Sequence, residues 1–207
     1  MKICVLGTGS WGTALAQVLA DNKQEVIMWG IDPCEVEDIE VNHHNTKFFE
    51  TEINHDIHAS TDLSVVADAD VVLAAVPTMA LEEVLTKASQ HLTKPAIIIN
   101  VAKGFHPITH ERLSVVISKI VPTEKCAAIV SLIGPSHAEE VIQRLMTSVN
   151  AVSDNEEAAK TVQHLFSNQY FRVYRNSDVI GAEIGVAIKN VMAIASGILE
   201  GSGQGDN

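Results

Sequence analysis

Ile3-Cys4-Val5-Leu6-Gly7-Thr8-Gly9-Ser10-Trp11-Gly12-Thr13-Ala14-Leu15-Ala16 decides the fold of this chain. An apolar run of strand type leads straight into G-x-G-x-x-G and a helix pattern follows, so the backbone of the turn can aim N–H groups at a pyrophosphate. Each glycine has its own task. Gly7 makes the tight turn, Gly9 lets backbone and phosphate approach, and Gly12 allows the helix to lie close on the strand. The positive end of the helix completes an anion site. The competing reading is a glycine-rich turn in an ordinary α/β domain.

Outward from this unit, short β-branched runs alternate with helix-like segments, the pattern of a parallel sheet covered on both faces. Strands are predicted over 2–6, 25–29, 70–76, 96–101, 126–132, 147–152 and 170–174. Helices are predicted over 11–21, 79–91, 110–120 and 155–166, and the polar stretch 42–58 reads as a long excursion. A long Gly- and Ala-rich helix follows over 178–199, apolar nearly all round, and so expected to be buried against something. The chain stops soon after it, at Gly201-Ser202-Gly203-Gln204-Gly205-Asp206-Asn207, which suggests a piece of a longer two-domain protein. The predicted fold is α/β, a Rossmann-like doubly wound and mostly parallel sheet over 1–177, with 178–207 the linking helix and start of an all-helical domain.

With 207 residues, nearly half of them apolar, the chain can build a real core. A formal net charge of −12 with no Lys/Arg stripe argues against nucleic acid or an anionic membrane surface as a partner. No apolar run is read as approaching the roughly 20 residues of a membrane span, and Met1 opens on a strand, so a soluble cytoplasmic protein is expected. Cys4, Cys34 and Cys126 are odd in number and lack any C-x-x-C, which favours small apolar or surface roles over a disulfide or zinc site.

An acid about 20 residues past the glycines is the usual partner of a ribose hydroxyl, and Asp32 fits. It would repel a 2′-phosphate, and no Lys or Arg lies between Lys23 and Lys47 to counter that. Equally, Asp32 before Pro33 is a common turn residue, and both readings stand. Val76-Pro77 closes a buried strand at the carboxyl edge and turns the chain past the ligand.

Four pieces of this sequence resemble, in the same order, NAD(P)-dependent glycerol-3-phosphate dehydrogenases. They are Gly7 to Ala14, Ala102-Lys103-Gly104, Gly134-Pro135-Ser136-His137-Ala138-Glu139-Glu140, and Ala187-Ile188-Lys189-Asn190-Val191-Met192-Ala193-Ile194-Ala195-Ser196-Gly197; the tail 201–207 matches too. The Lys-Asn pair inside a small-residue helix is the most specific of these. The resemblance implies NAD or NADP as cofactor, dihydroxyacetone phosphate and sn-glycerol 3-phosphate as substrates, and a role in glycerophospholipid synthesis. It further implies that Ser10, Trp11 and Ala138 contact the dinucleotide and that Lys103 stands where cofactor and substrate phosphate meet. Gly134 and Ser136 line the substrate, and Lys189 is the proton donor or acceptor. Ile31 takes a position next to the adenosine ribose where bacterial members often carry His or Arg, so the choice between the two cofactors stays open. The family's helical domain supplies an Arg-Asn pair for the substrate phosphate and an acidic partner for the lysine, none of which lies in this chain. A homodimer is compatible with this reading.

The assignments make physical sense. Lys103 follows the strand 96–101 into the crevice at the carboxyl edge, and Gly134-Pro135-Ser136 follows the next strand and opens a helix. Lys189 has Gly185 one turn before it and Ala193 one turn after, which leaves space above its side chain. Burial and a second ammonium would lower its pKa toward a useful range. The bland alternative for Lys189 is a solvated surface charge.

The histidine pairs His55 with His58 and His106 with His110 have metal-like spacing but no cluster of further ligands, and no metal is expected. Two rival functions remain at this stage: another two-domain nicotinamide-dependent reductase, of the ketopantoate reductase or β-hydroxyacid dehydrogenase type, and a nucleotide-binding module without turnover.

Overall fold

The fold is taken from a computed structural model that describes residues 1–203. It begins with β1 (Lys2–Leu6), α1 (Ser10–Asp21), β2 (Glu25–Trp29) and α2 (Pro33–Glu37), the last running on into a π-helical turn, Asp38–Asn42. Next come β3 (Ile57–Ser60), β4 (Val71–Ala74), α3 (Thr78–His91), β5 (Ala96–Asn100), α4 (Leu113–Ile120), β6 (Cys126–Ile133) and α5 (Ala138–Ile142). The chain finishes with β7 (Thr147–Val152), α6 (Glu156–Phe166), β8 (Phe171–Asn176) and α7 (Val179–Gly201).

The eight strands form one sheet in the order β3-β2-β1-β4-β5-β6-β7-β8. Every pairing is parallel except β6 with β7, so the last two strands run against the other six. β1 lies between β2 and β4, with Ile3 opposite both Val26 and Val71. The strand order reverses there, and a crevice opens beyond the carboxyl ends.

Side chains of β1 alternate between two cores. Ile3 and Val5 join the layer beneath α1, α5 and α6, whereas Cys4 and Leu6 join the layer beneath α3 and α4. Burial pushes the Cys4 thiol up to about 12, as suits a small core residue rather than a nucleophile.

Three expectations need correction. The excursion 42–58 ends in an unexpected edge strand, β3, which pairs with β2 through only four residues, Ile57-His58-Ala59-Ser60. The second concerns α7, which is not buried: Glu183 is its only buried residue, and Ile180, Ile184, Ile188, Val191, Met192, Ile194, Ile198 and Leu199 are exposed. The surface that would cover this face is not among the described residues. Third, α7 is by length and composition apolar enough to cross a membrane, with 23 residues and mean hydropathy 1.5. Its charges are isolated within a long apolar average, which is why they read as interruptions in the sequence. The tail match over 201–207 runs past the described residues from Gln204 onward.

Candidate active site

The glycine turn is built from backbone close approach. Gly7 has φ +118°, and a Cβ there would meet the carbonyl oxygen of Ala75 at 2.6 Å. At Gly12 a Cβ would meet the carbonyl oxygen of Gly7 at 2.4 Å, so α1 lies directly on the turn. Gly9 differs. A Cβ there meets nothing within 4 Å, and Gly9 caps α1 with no side chain over the first turn. The open first turn therefore points backbone donors into free space, which fits a pyrophosphate.

That space is a cleft of about 400 Å³ lined by Gly9, Ser10 and Trp11 on one side and by Ala75 to Thr78 and Val101 to Lys103 on the other, with Phe48 at its margin. The ends of β1, β4 and β5 thus converge as the strand order requires. The indole N–H of Trp11 is buried without an acceptor.

Lys103 crosses from the cleft toward the next loop. Its ammonium lies 5.5 Å from the centre of the Trp11 ring and donates to the Ser136 carbonyl oxygen at 3.4 Å. Burial lowers its pKa, and the Lys189 ammonium lowers it further. The Lys103 ammonium, held at the Ser136 carbonyl, and the Lys189 side chain in the adjoining cavity can together receive a phosphate or a polarised carbonyl.

Beyond Lys103 a second cavity of about 290 Å³ is lined by Gly134, Pro135, Asn150, Asn176, Gly185 and Lys189. A Cβ on Gly185 would meet nothing within 4 Å, so the space anticipated above Lys189 is present. Ser136 is 5% exposed and its hydroxyl has no partner. The structure therefore places Ser10 and Trp11, Lys103, and Gly134 and Ser136 just past the carboxyl ends of β1, β5 and β6, with Lys189 lining the cavity beside Gly134. Ala138 opens α5 with its methyl in the core, and Ile31 is 82% exposed at the end of β2. Asp32 caps α2, accepting from the Cys34 N–H at 2.9 Å, so its turn role is realised while its second oxygen stays available.

Several residues escaped the sequence reading. Asn45, 1% exposed, donates to the Thr8 carbonyl at 2.8 Å and the Thr13 hydroxyl at 2.9 Å, bracing the glycine turn from the excursion. The Thr8 hydroxyl donates to Glu35 at 2.6 Å, and Glu35 also pairs with Lys47. Glu183 holds α7 to the sheet through Arg112, Ser114 and Ser131. The only sequence signal for it was an acid in an otherwise apolar helix.

Residues 2–159 match the family model described as NAD-dependent glycerol-3-phosphate dehydrogenase N-terminus, and residues 178–207 match the corresponding C-terminus. The chain belongs to the NAD-dependent glycerol-3-phosphate dehydrogenase family. Among curated relatives, the glycerol-3-phosphate dehydrogenase [NAD(P)+] of Enterococcus faecalis is 48% identical over 208 residues, covering 100% of this chain and 61% of that protein. That of Streptococcus uberis is 49% identical, with 100% and 62% covered. The chain thus spans about three-fifths of these relatives' length. Of solved structures, glycerol-3-phosphate dehydrogenase from Coxiella burnetii aligns over 100% of this chain and 63% of its own, at 32% identity and TM-score 0.84. The Plasmodium falciparum enzyme aligns over 100% and 61%, at 28% identity and TM-score 0.90. The Rossmann-like fold described above is the one these structures share.

Proposed function

We propose that this chain carries the cofactor cleft and the proton-transfer lysine of an oxidoreductase that interconverts dihydroxyacetone phosphate and sn-glycerol 3-phosphate, feeding glycerophospholipid synthesis. In this reading residues 1–177 form the dinucleotide-binding domain, and 178–207 form the linking helix and the beginning of a helical substrate domain. Gly7, Gly9, Ser10, Trp11 and Gly12 hold the cofactor's phosphates and inner edge. Ile31 and Asp32 stand at its adenosine end, with Lys103 and Ala138 completing the contact. The dinucleotide, when bound, supplies or accepts the hydride. Lys103, Gly134 and Ser136 orient the triose phosphate.

Lys189 gives its proton to the ketone oxygen as the carbonyl carbon is reduced, and takes it back in the reverse direction. The observation that carries this reading is that the Lys103 ammonium lies 5.5 Å from the Trp11 ring and donates to the Ser136 carbonyl, while Lys189 lines the adjoining cavity with Gly134 and Pro135. Cytoplasmic location goes with small phosphorylated substrates and a net charge of −12. Glu183 and Lys189 within α7 are costly to place in hydrocarbon, which supports a helix made for a protein partner surface rather than a bilayer.

The test is a binding titration with NADH and an NADH oxidation assay offering dihydroxyacetone phosphate and ketopantoate in parallel. NADH binding by the 207-residue chain is expected, with feeble turnover of the triose phosphate and none of ketopantoate. In a protein extended to the relatives' full length, Lys189→Ala should cut turnover about a hundredfold and leave NADH affinity nearly unchanged. Equal loss of both would reduce Lys189 to a structural residue.

A further inference from the structure

We propose that this chain selects NAD(H) over NADP(H), and that Glu35 enforces the choice by occupying Lys47. The inference rests on the dinucleotide reading of the cleft and names which dinucleotide it takes.

In an open α/β sheet the adenosine ribose lies beyond the carboxyl end of the second strand. Here that end is pressed against the glycine turn, since a Cβ on Gly30 would meet the Thr8 side chain at 2.5 and 2.8 Å. Thr8 in turn donates its hydroxyl to Glu35 at 2.6 Å, fixing one carboxylate oxygen beside the turn. The other oxygen of Glu35 takes the ammonium of Lys47, whose side chain is 58% exposed against 12% for Glu35. Lys47 also stands 5.5 Å from the Phe48 ring, and Phe48 borders the dinucleotide cleft. The pair also lines one cavity with Asp32, just past the end of β2, and so stands at the cofactor's adenosine end rather than on a remote surface.

The charges there are lopsided. A cavity of about 370 Å³ is lined by Asp32, Glu35, Glu37 and Asp38, and Lys47 is the sole cation lining it. Hydrogen bonds from the Thr46 backbone and the side chains of Asn42 and Thr46 hold the Asp38 carboxyl below its ordinary range, so it stays ionised. A 2′-phosphate brings nearly two further negative charges and needs an uncommitted cation. It could gain Lys47 only by displacing Glu35, leaving that carboxylate with the Thr8 hydroxyl alone. The 2′-hydroxyl of NAD asks for an acceptor instead, which the free oxygen of Asp32 can supply. The long excursion thus brings a lysine to the ribose, and Glu35 cancels it.

The experiment titrates NADH and NADPH separately against the 207-residue chain, reading dinucleotide fluorescence and Trp11 quenching, at low and at moderate salt. NADH should bind about tenfold or more tightly than NADPH, with the gap narrowing as salt rises. Glu35→Gln retains the Thr8 bond but releases Lys47, and should narrow the gap at least roughly threefold by tightening NADPH. Lys47→Met should weaken NADPH more than NADH; combined with Glu35→Gln it should abolish the gain. Equal binding of both dinucleotides, or a Glu35→Gln variant with an unmoved ratio, overturns the proposal while leaving the cofactor site standing. Failure of both dinucleotides to bind overturns the proposal together with the reading beneath it.

Discussion

Glu183 and Arg112 meet at 3.1 Å where α7 passes the start of α4, and the carboxylate is 4% exposed. Its two oxygens also accept from the Ser114 N–H at 3.2 Å, the Ser114 hydroxyl at 2.7 Å and the Ser131 hydroxyl at 2.8 Å. No other residue of α7 is buried, so this network fixes the helix that carries Lys189 six positions later. Glu183→Ala should cost about 2 to 4 kcal/mol, because it leaves a partly buried guanidinium and two hydroxyls without their acceptor. Glu183→Gln, which keeps the shape but loses the charge, should cost less. Denaturant midpoints compare the three proteins, and amide exchange along α7 should accelerate in the alanine variant.

Two glycines of the turn, Gly7 and Gly9, should separate folding from binding. Gly7→Ala combines a left-handed φ of +118° with a 2.6 Å clash against the Ala75 carbonyl, and should destabilise by roughly 2 kcal/mol or more. Gly9→Ala faces open space and should leave the thermal midpoint within a degree or two. Its methyl enters the cleft, so NADH affinity should fall at least about tenfold. A Gly9→Ala protein that binds as tightly as the parent would place the pyrophosphate elsewhere.

The local pattern made most of the sheet legible, β8 at one edge included, and left the other edge obscure. β1, its glycines and α1 are contiguous, and each residue's role follows from neighbours within a turn. β3 is invisible for the opposite reason. Of its four residues only Ile57 is buried, and its pairing with β2 depends on the path of an excursion whose own anchors, Asn45, Phe49 and Ile53, are scattered among polar residues. The same excursion carries Lys47 back to Glu35, a contact without any signal in sequence spacing. In α7 the apolar composition correctly marked a helix but wrongly implied burial, since burial depends on a covering surface that helix periodicity cannot supply. Lys103 and Lys189, 86 positions apart, come near each other only because the loop after β5 and the middle of α7 both flank the loop that follows β6.

The depressed pKa of Lys103 should appear as a stability penalty at neutral pH. The unfolded chain binds the proton more tightly than the folded one, so stability contributed by this site rises with pH between the lowered folded value and the ordinary 10.5. Lys103→Met should therefore be more stable than the parent near neutrality, with the difference shrinking as pH climbs through that window. Burial acts first and Lys189 second, so Lys189→Met should move the Lys103 titration up only part of the way. NMR of the lysine ε-methylene groups follows both effects. A Lys103 titration unchanged by Lys189→Met would mean that the two ammonium groups do not share one site.

Asp21 should set the acid limit of the fold. Burial opposes its ionisation, but hydrogen bonds from Arg144, Tyr170 and Asn54 outweigh that and hold the carboxyl below its usual 3.8. These bonds tie the end of α1 to the turn after α5 and to the approach to β8, with Arg144 at 2.8 Å and the Tyr170 hydroxyl at 2.7 Å. The folded pKa is the lower one, so the contribution is fully present above 3.8 and is lost as pH falls through the folded value. Asp21→Asn should destabilise the protein at pH 7 by about 1 to 2 kcal/mol, and the parent and variant should converge as the pH is lowered below 3.8. Parallel unfolding curves at pH 7 and at strongly acid pH, with an undiminished difference between the two proteins, would assign the loss to packing instead of charge.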